Sequence, residues 1–212
     1  MTEAEAKLWL EREQNVSRET FDRLQGFIEL LRDENERQNL VSASSLDQVW
    51  SRHIVDSVQL LRFATEQASW ADLGSGAGFP GLMIALFHPG EVTLVEQRKL
   101  RADFLQRAAD VLGLGSVRIL CANARQLRAG PFDVISARAF APLDRLFALA
   151  THLGTNQTRW VLPKGQNAKS ELDAACASWQ GDFRLETSVT DPSASIIVAE
   201  RVRPRKKGLR TG

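Results

Sequence analysis

Hydrophobic residues in the first third of the chain recur at the spacing of an α-helix. Between Phe21 and Leu31 they follow one another at intervals of three or four residues, with charged residues on the opposite face. Ser17, just before this run, is predicted to be the N-cap of the helix. A second helical run begins after Ser45. We therefore expect residues 1–66 to form a helical extension without strands.

From Trp70 onward the pattern changes to short apolar runs that alternate with amphipathic segments. Strands are predicted at 69–73, 92–96, 117–121, 133–137, 159–162, 184–189 and 195–202. Helices are predicted at 80–88, 98–112, 142–152 and 168–179. This alternation indicates a parallel sheet covered on both faces, and the two final strands, with no helix between them, indicate an antiparallel hairpin. Residues 67–203 are thus predicted to form a seven-stranded, mostly parallel, Rossmann-like α/β domain, with a tail over 204–212.

Composition is consistent with one compact unit. The chain has 212 residues, of which 43% are hydrophobic, so it can fill a single core. Its longest apolar run, GLMIALF at 81–87, is too short to cross a bilayer, and we expect a cytoplasmic monomer that does not bind membranes. The two cysteines, Cys121 and Cys176, are too few and too far apart for a disulfide framework or a zinc site. We expect both to be buried and reduced, and no metal site is indicated.

Positive charge is concentrated at the C-terminal end. The net charge of the chain is only +1, but RVRPRKKGLR at 201–210 contains six cationic residues in ten. Such a segment can neutralise nucleic-acid phosphates and release their counterions. The alternative is a solvated tail without a partner. The residues predicted to contact RNA are Arg201, Arg203, Arg205, Lys206 and Lys207.

The stretch ADLGSGAGFPG, residues 71–81, lies between the first predicted strand of the sheet and the helix that follows it. Ligands of open α/β sheets bind at this carboxyl edge of the strands. The glycines stand at Gly74, Gly76 and Gly78, and Phe79 occupies the position where the dinucleotide fingerprint requires its third glycine. No Gly-Lys-Ser/Thr follows, so the phosphate-binding Walker pattern is also absent.

Two carboxylates indicate the ligand of this loop. Asp72, two residues before the first glycine, would repel a pyrophosphate but attract a cationic ligand, and S-adenosylmethionine carries both an ammonium and a sulfonium. Glu96, at the end of the next predicted strand, can accept hydrogen bonds from both ribose hydroxyls, a feature shared with NAD enzymes. Taken separately, the glycines could form only a tight turn and Glu96 could end a solvated strand. In this order, the two features favour a binding site.

Several segments together resemble a known family. DLGSGAGFPG, VEQRKLRADFL, ISARAFAPL and LPKG, with QNLVSAS and RHIVDSVQLL before them, are similar to the bacterial 16S rRNA guanine-N7 methyltransferases, RsmG, also known as GidB, glucose-inhibited division protein B. The resemblance runs from about residue 27 to 201. It implies a class I methyltransferase fold, the cofactor S-adenosylmethionine, and methylation of N7 of a guanine in the 530 loop of 16S rRNA in the small ribosomal subunit.

The resemblance also implies the cofactor contacts. By motif match they fall on Gly74, Gly76, Gly78, Phe79, Glu96, Ala124, Arg125 and Arg138. The family often has an acidic residue where this chain has Arg125, and such a carboxylate can accept the adenine amino group. Adenine recognition in this chain is therefore expected to depend on main-chain groups.

The chemistry of the implied reaction requires alignment more than proton transfer. Guanine N7 carries a lone pair and no proton, so no general base is needed. Arg138 and Lys164, which follow the fourth and fifth predicted strands of the sheet, are expected to hold guanine O6 or the flanking phosphates. The alternatives are a clamp on the cofactor carboxylate for Arg138 and a solubilising role for Lys164. His53 and Asp56, one helical turn apart, could orient the extension toward the site, although a surface-paired histidine is commoner.

Two other classes of protein remain open. A nicotinamide oxidoreductase would share the fold and Glu96, but it would require glycine in place of Phe79. A non-catalytic RNA-binding protein would share the fold and the basic tail. Methylation of cytosine C5 is disfavoured because Cys121 lacks the Pro-Cys context of a nucleophile, and methylation of adenine N6 because no Asn/Asp-Pro-Pro-aromatic motif follows the fourth strand.

Overall fold

The computed structural model describes residues 1–205. The extension consists of α1 (Glu3–Gln14), α2 (Arg18–Gln38), α3 (Ala43–Leu46), a π-helical segment (Trp50–Val55), α4 (Asp56–Val58) and a 3₁₀ turn (Gln59–Phe63). The predicted N-cap is confirmed, because the Ser17 hydroxyl accepts a hydrogen bond from the Thr20 N–H at 3.2 Å. The second helical run differs from an ordinary α-helix, since its turns change from π to α to 3₁₀.

Seven strands form one sheet in the order β3-β2-β1-β4-β5-β7-β6. They are β1 (Trp70–Leu73), β2 (Val92–Glu96), β3 (Arg118–Cys121), β4 (Val134–Ser136), β5 (Arg159–Lys164), β6 (Trp179–Thr187) and β7 (Ser195–Pro204). The first five are parallel, and β7 runs antiparallel to both β5 and β6, which confirms the predicted hairpin. The helices between them are α5 (Gly81–Phe87), α6 (Lys99–Leu112), α7 (Leu143–Ala150) and α8 (Ala168–Ala175).

The prediction was least accurate around β6. This strand was expected at 184–189 and the helix before it at 168–179, but the helix ends at Ala175 and the strand begins at Trp179. As the edge strand of the sheet, β6 exposes polar residues on one face and has an irregular register at Gln180–Asp182, so its apolar pattern is weak.

The extension and the sheet share one hydrophobic core. Leu10 of α1, Phe27 of α2 and Ile54 of the π-helical segment belong to the same buried cluster as Trp70 and Val161, which point to one face of the sheet. A second cluster on the opposite face contains side chains of α7 and α8. The carboxylate of Glu3 in α1 accepts hydrogen bonds from the N–H groups of Trp50 and Ser51 at 3.0 and 2.9 Å, which fixes α1 to the π-helical segment.

The direction of β7 determines where the basic segment lies. Because β7 is antiparallel to β5, it leaves the sheet at the amino edge of the parallel strands, opposite the glycine-rich loop. Arg201 forms an ion pair with Asp182 there, Arg203 is exposed, and the Arg205 Nε donates to the Trp179 carbonyl at 3.1 Å. Lys206 and Lys207 lie outside the described residues. The structure therefore does not bring the described part of the basic segment to the predicted site.

The cysteines are less buried than predicted. Cys121 is exposed because it ends β3, the strand at the other edge of the sheet, and Cys176 is half-buried at the end of α8. None of the helices in residues 1–205 combines the length and the apolar character needed to span a membrane.

Candidate active site

The glycines of the loop after β1 have distinct roles. Gly74, Gly76 and Gly78 all have positive φ angles, of 71°, 51° and 92°, which L side chains rarely adopt. A Cβ at Gly74 would meet the Phe140 ring at 2.5 Å, and one at Gly78 would collide with Leu82. A Cβ at Gly76 would have no neighbour closer than 3.6 Å. Gly74 and Gly78 thus permit tight packing of the loop, whereas a Cβ at Gly76 would make only ordinary van der Waals contacts.

Asp72, which was predicted to contact the cofactor, lies buried below this loop. Its side chain is fully buried, with Oδ1 accepting from the Ser136 hydroxyl at 2.8 Å and Oδ2 from the Gly81 N–H at 3.1 Å. The same Ser136 hydroxyl accepts from Trp70 Nε1 at 3.0 Å. Burial raises the pKa of Asp72 to about 6. The carboxylate therefore connects the start of α5 to β4 beneath the loop.

Glu96 lies at the end of β2 and contacts the loop. Its Oε2 accepts from the Gly76 N–H at 3.1 Å and its Oε1 from the Arg98 N–H at 2.9 Å. It also lines a cavity of about 530 Å³ at the carboxyl edge of β1, β2 and β3. Gly74, Ala124 and Arg125, all predicted cofactor contacts, line this cavity with it. We call it the Glu96 cavity.

The residues fit S-adenosylmethionine better than a phosphorylated nucleotide. The Gly76 N–H, which a phosphate at this loop would need, is already bound to the Glu96 carboxylate. A phosphate there would also lie beside that negative charge. Both Glu96 oxygens keep lone pairs that can accept ribose hydroxyls, since each has one protein donor in the described chain.

Phe79, which was predicted to contact the cofactor, does not line the Glu96 cavity. Its ring is 3% exposed, stacks on His53 with centroids 4.8 Å apart, and meets the edge of Phe27 at 5.5 Å. The guanidinium of Arg138 lies over the ring, 5.2 Å from its centroid. Phe79 thus connects the loop to the extension, which supplies both His53 and Phe27.

A second cavity, of about 400 Å³, lies over the carboxyl ends of β4 and β5, where Arg138 and Lys164 meet Arg52 and Asp56 of the extension. We call it the Arg138 cavity. Arg138 is 3.8 Å from Asp56 Oδ2 and donates to the Arg52 carbonyl at 3.2 Å. Burial lowers the pKa of Arg138, while the Asp56 and Asp72 carboxylates oppose that shift. Ala139, Phe140 and Ala141, which follow Arg138 in the chain, line the Glu96 cavity, so the two cavities lie on either side of this short segment.

Lys164 is engaged within the protein. Its Nζ is 2.8 Å from Glu171 Oε1 and donates to the Ala141 carbonyl at 3.4 Å. Glu171 also accepts from the Leu143 N–H, at the start of α7. Lys164 therefore lines the Arg138 cavity, but its observed contacts stabilise the segment after β4.

The π-helical segment contributes residues that the sequence analysis underestimated. His53 is buried, not surface-paired, and neither ring nitrogen has a hydrogen-bond partner in residues 1–205. Burial, with Arg138 and Arg52 nearby, lowers its pKa to about 3. Asp56 Oδ1 accepts from Gln59 Nε2 and the Thr190 hydroxyl, both at 2.9 Å, and burial raises the pKa of Asp56. The spacing of His53 and Asp56 in RHIVDS was the only sequence signal for these roles.

The chain is similar to known proteins along most of its length. The sequence profile of one family, described as rRNA small subunit methyltransferase G, matches residues 20–195. The chain belongs to this family. The ribosomal RNA small subunit methyltransferases G of Zymomonas mobilis and Rhizorhabdus wittichii are 47% and 50% identical to it, and each alignment covers 98% of this chain and 97% of the relative.

Solved structures confirm the fold of this methyltransferase G family member. An S-adenosylmethionine-dependent methyltransferase from Aquifex aeolicus has a TM-score of 0.57 at 12% identity, over 79% of this chain and 97% of the other. The class I Rossmann-like fold is thus confirmed, and S-adenosylmethionine is the cofactor of the family. Membership of the family argues against the nicotinamide oxidoreductase alternative.

Proposed function

We propose that the chain transfers the methyl group of S-adenosylmethionine to N7 of a guanine in the 16S rRNA of the small ribosomal subunit. The observation that carries this proposal is the pair of cavities on either side of residues 138–141. The Glu96 cavity would hold the cofactor, and the Arg138 cavity would receive the base. Both lie at the carboxyl edge of the sheet, and N7 would have to meet the methyl group directly beside residues 138–141, so that the new N–C bond forms as the C–S bond breaks.

The cofactor, when bound, supplies an electrophilic methyl group on a sulfonium. Glu96 would accept the ribose hydroxyls, and Gly74, which lines the same cavity, would let the cofactor approach the loop main chain closely. Ala124 and Arg125 would lie beside the adenine, where the Arg125 side chain is exposed and cannot accept the adenine amino group.

The proposed chemistry needs no general base. The N7 lone pair attacks directly, so no proton leaves the acceptor atom. His53 is the histidine nearest to Arg138 in the extension, but it is not a candidate general base because both of its ring nitrogens are buried. Its pKa of about 3 also makes the ring a weak base. The residues present thus suit a reaction that depends on alignment.

Arg138 and Asp56 would read the two polar edges of the guanine. Guanine O6 is an acceptor that suits the Arg138 guanidinium, whereas N1–H and the exocyclic amino group are donors that suit a carboxylate. Asp56 Oδ1 already has three donors, from Gln59, Thr190 and Ser188, but Oδ2 has only Arg138, at 3.8 Å, in the described part of the chain. Oδ2 therefore retains acceptor capacity toward the Arg138 cavity. Lys164 would act as a positioning residue through the Ala141 carbonyl.

The proposal is tested by methyl transfer to unmodified small ribosomal particles. The protein and radiolabelled S-adenosylmethionine are incubated with the particles, and chain cleavage specific for 7-methylguanine locates the label. We expect label at one guanine N7 in the 16S rRNA. Label on another atom would refute the assignment, and binding of the particles without any transfer would favour the non-catalytic RNA-binding alternative.

A further inference from the structure

Five arginines surround the opening of the Glu96 cavity and of an adjoining open cleft of about 840 Å³ at the same edge of the sheet. They come from the start of α6, the segment after β3 and the first turn of α7. We call this set the arginine rim; its members are Arg98, Arg101, Arg125, Arg128 and Arg145. All are exposed except Arg101, which is half-buried.

The arginine rim is not neutralised by the protein. Within residues 1–205, none of its members forms a salt bridge or a side-chain hydrogen bond. Arginines elsewhere do, such as Arg107 with Glu34 and Arg159 with Glu200, both at 2.6 Å. Glu96 is the only carboxylate among the described residues that line the two openings, so one negative charge is set against five positive ones.

Two members of the rim oppose the dipole of the helix that carries them. Arg98 is the N-cap of α6 and Arg101 lies in its first turn, where the partial charge of the helix is positive. This first turn contains no acidic residue, whereas α1 begins with Glu3 and Glu5. The positions of Arg98 and Arg101 therefore favour binding of an anion more than stability of the helix.

The cofactor does not supply that anion. S-adenosylmethionine has no phosphate, and its only negative group is one carboxylate, which cannot satisfy five separate guanidinium groups. The remaining ligand of the cleft is the nucleic-acid substrate, whose backbone carries one negative charge per nucleotide. The described basic residues near the C-terminal end lie at the opposite edge of the sheet, away from this opening.

We propose that the arginine rim binds the backbone phosphates of the rRNA nucleotides beside the target guanine. This inference rests on the proposed function for the identity of the nucleic acid. Contacts of this kind fix the position of the strand without reading its sequence, and the Arg138 cavity reads the base. The rim thus holds the strand at the opening of the Glu96 cavity, next to residues 138–141 and the Arg138 cavity that receives the guanine.

The test compares two double variants that remove the same charge. Arg128→Gln with Arg145→Gln removes two members of the rim. Arg118→Gln with Arg203→Gln removes two exposed arginines from the amino edge of the parallel strands, away from the rim. Binding of an unmodified 16S rRNA transcript is measured on filters over a range of salt concentrations. Affinity for S-adenosylmethionine and the melting temperature are measured for each variant as controls of the fold.

We expect the rim variant to bind RNA at least tenfold more weakly, and its log–log salt slope to decrease by roughly 1.4, since each phosphate contact on a single strand contributes about 0.7. The control variant should change RNA affinity less than about twofold, and cofactor affinity should stay the same in both. Equal losses in the two variants would show a general charge effect and overturn the inference. So would a rim variant that loses cofactor affinity in proportion to RNA affinity.

The same measurements separate failure of the rim from failure of the proposed reaction. If the rim variant loses RNA affinity as expected but the wild type methylates an atom other than N7, the proposed function is refuted and the inference is supported. If the wild type methylates N7 but the rim variant keeps its RNA affinity and salt slope, the inference is refuted and the proposed function is supported.

Discussion

Replacement of His53 by phenylalanine is expected to stabilise the protein, although His53 is buried beside the proposed site. The two ring nitrogens have no partner in the described chain, and an unsatisfied buried polar group costs about 1–3 kcal/mol. Phenylalanine keeps a flat ring for stacking on Phe79 and carries no polar atom. His53→Phe should therefore raise the free energy of unfolding at neutral pH.

The stabilisation should increase as the pH falls. The pKa of His53 is about 3 in the folded protein, below its ordinary value of 6.5. Between these values the unfolded chain binds a proton that the folded protein does not, so the folded wild type loses stability as pH decreases below 6.5. Each pH unit in this window costs about 1.4 kcal/mol, which gives roughly 2 kcal/mol at pH 5. The variant lacks this cost.

The pKa of Asp72 acts in the opposite direction. Its folded value, about 6, lies above its ordinary value of 3.8, so protonation below pH 6 favours the folded state. Wild type and variant share this contribution, and it cancels when their unfolding free energies are subtracted at each pH.

Urea unfolding followed by tryptophan fluorescence at pH 7.5, 6 and 5 measures the difference between the two proteins. His88→Phe provides a matched control, because the His88 ring already has a partner, the Ala68 carbonyl at 2.7 Å, and its loss should destabilise the protein. If the advantage of His53→Phe is absent at pH 7.5, or does not grow by about 2 kcal/mol at pH 5, the burial argument is wrong.

Three further substitutions test the site. Gly81→Ala should destabilise the protein by about 1–3 kcal/mol in thermal unfolding, because the new Cβ would lie 2.7 Å from Asp72 Oδ2; an unchanged melting temperature would contradict this packing. Gly76→Asp should abolish cofactor binding in calorimetry, since it places a carboxylate beside Glu96 at a positive φ; wild-type affinity would refute the assignment of the loop. Asp56→Asn should lower kcat/KM for the rRNA by roughly tenfold to a hundredfold, while affinity for the cofactor stays the same. A parallel loss of kcat/KM and of cofactor affinity would indicate that Asp56 has a structural role only.

Local pattern was sufficient to predict much of the sheet and part of the site. The central strands are buried on both faces, so their apolar runs are continuous and their positions were predicted within one or two residues. Glu96 follows directly from the end of such a strand, where its contact with the loop is set by the parallel pairing of β1 and β2.

Features that depend on long-range packing were not predictable in the same way. The inward position of Phe79 is determined by α2 and the π-helical segment, which are distant in sequence, and the burial of Asp72 depends on Ser136 of β4. The arginine rim combines three segments that are separate in sequence, and only the fold brings them to one edge of the sheet. The basic run from Arg201, in contrast, was conspicuous in sequence, but its described residues, 201–205, lie at the amino edge of the parallel strands because β7 runs antiparallel to β5.

Glu3 accepts hydrogen bonds from the π-helical segment, and the extension shares one core with the sheet; both features limit how the protein can evolve. Arg52 and Asp56 line the Arg138 cavity from the extension, whose position depends on the same buried cluster as β1 and β5. The extension therefore cannot be replaced without disturbing the core of the sheet. The extension and the sheet should melt in a single cooperative transition. We therefore expect the effects of mutations at Leu10 and of mutations that change guanine recognition to be non-additive, although the two sets of positions are far apart in the gene.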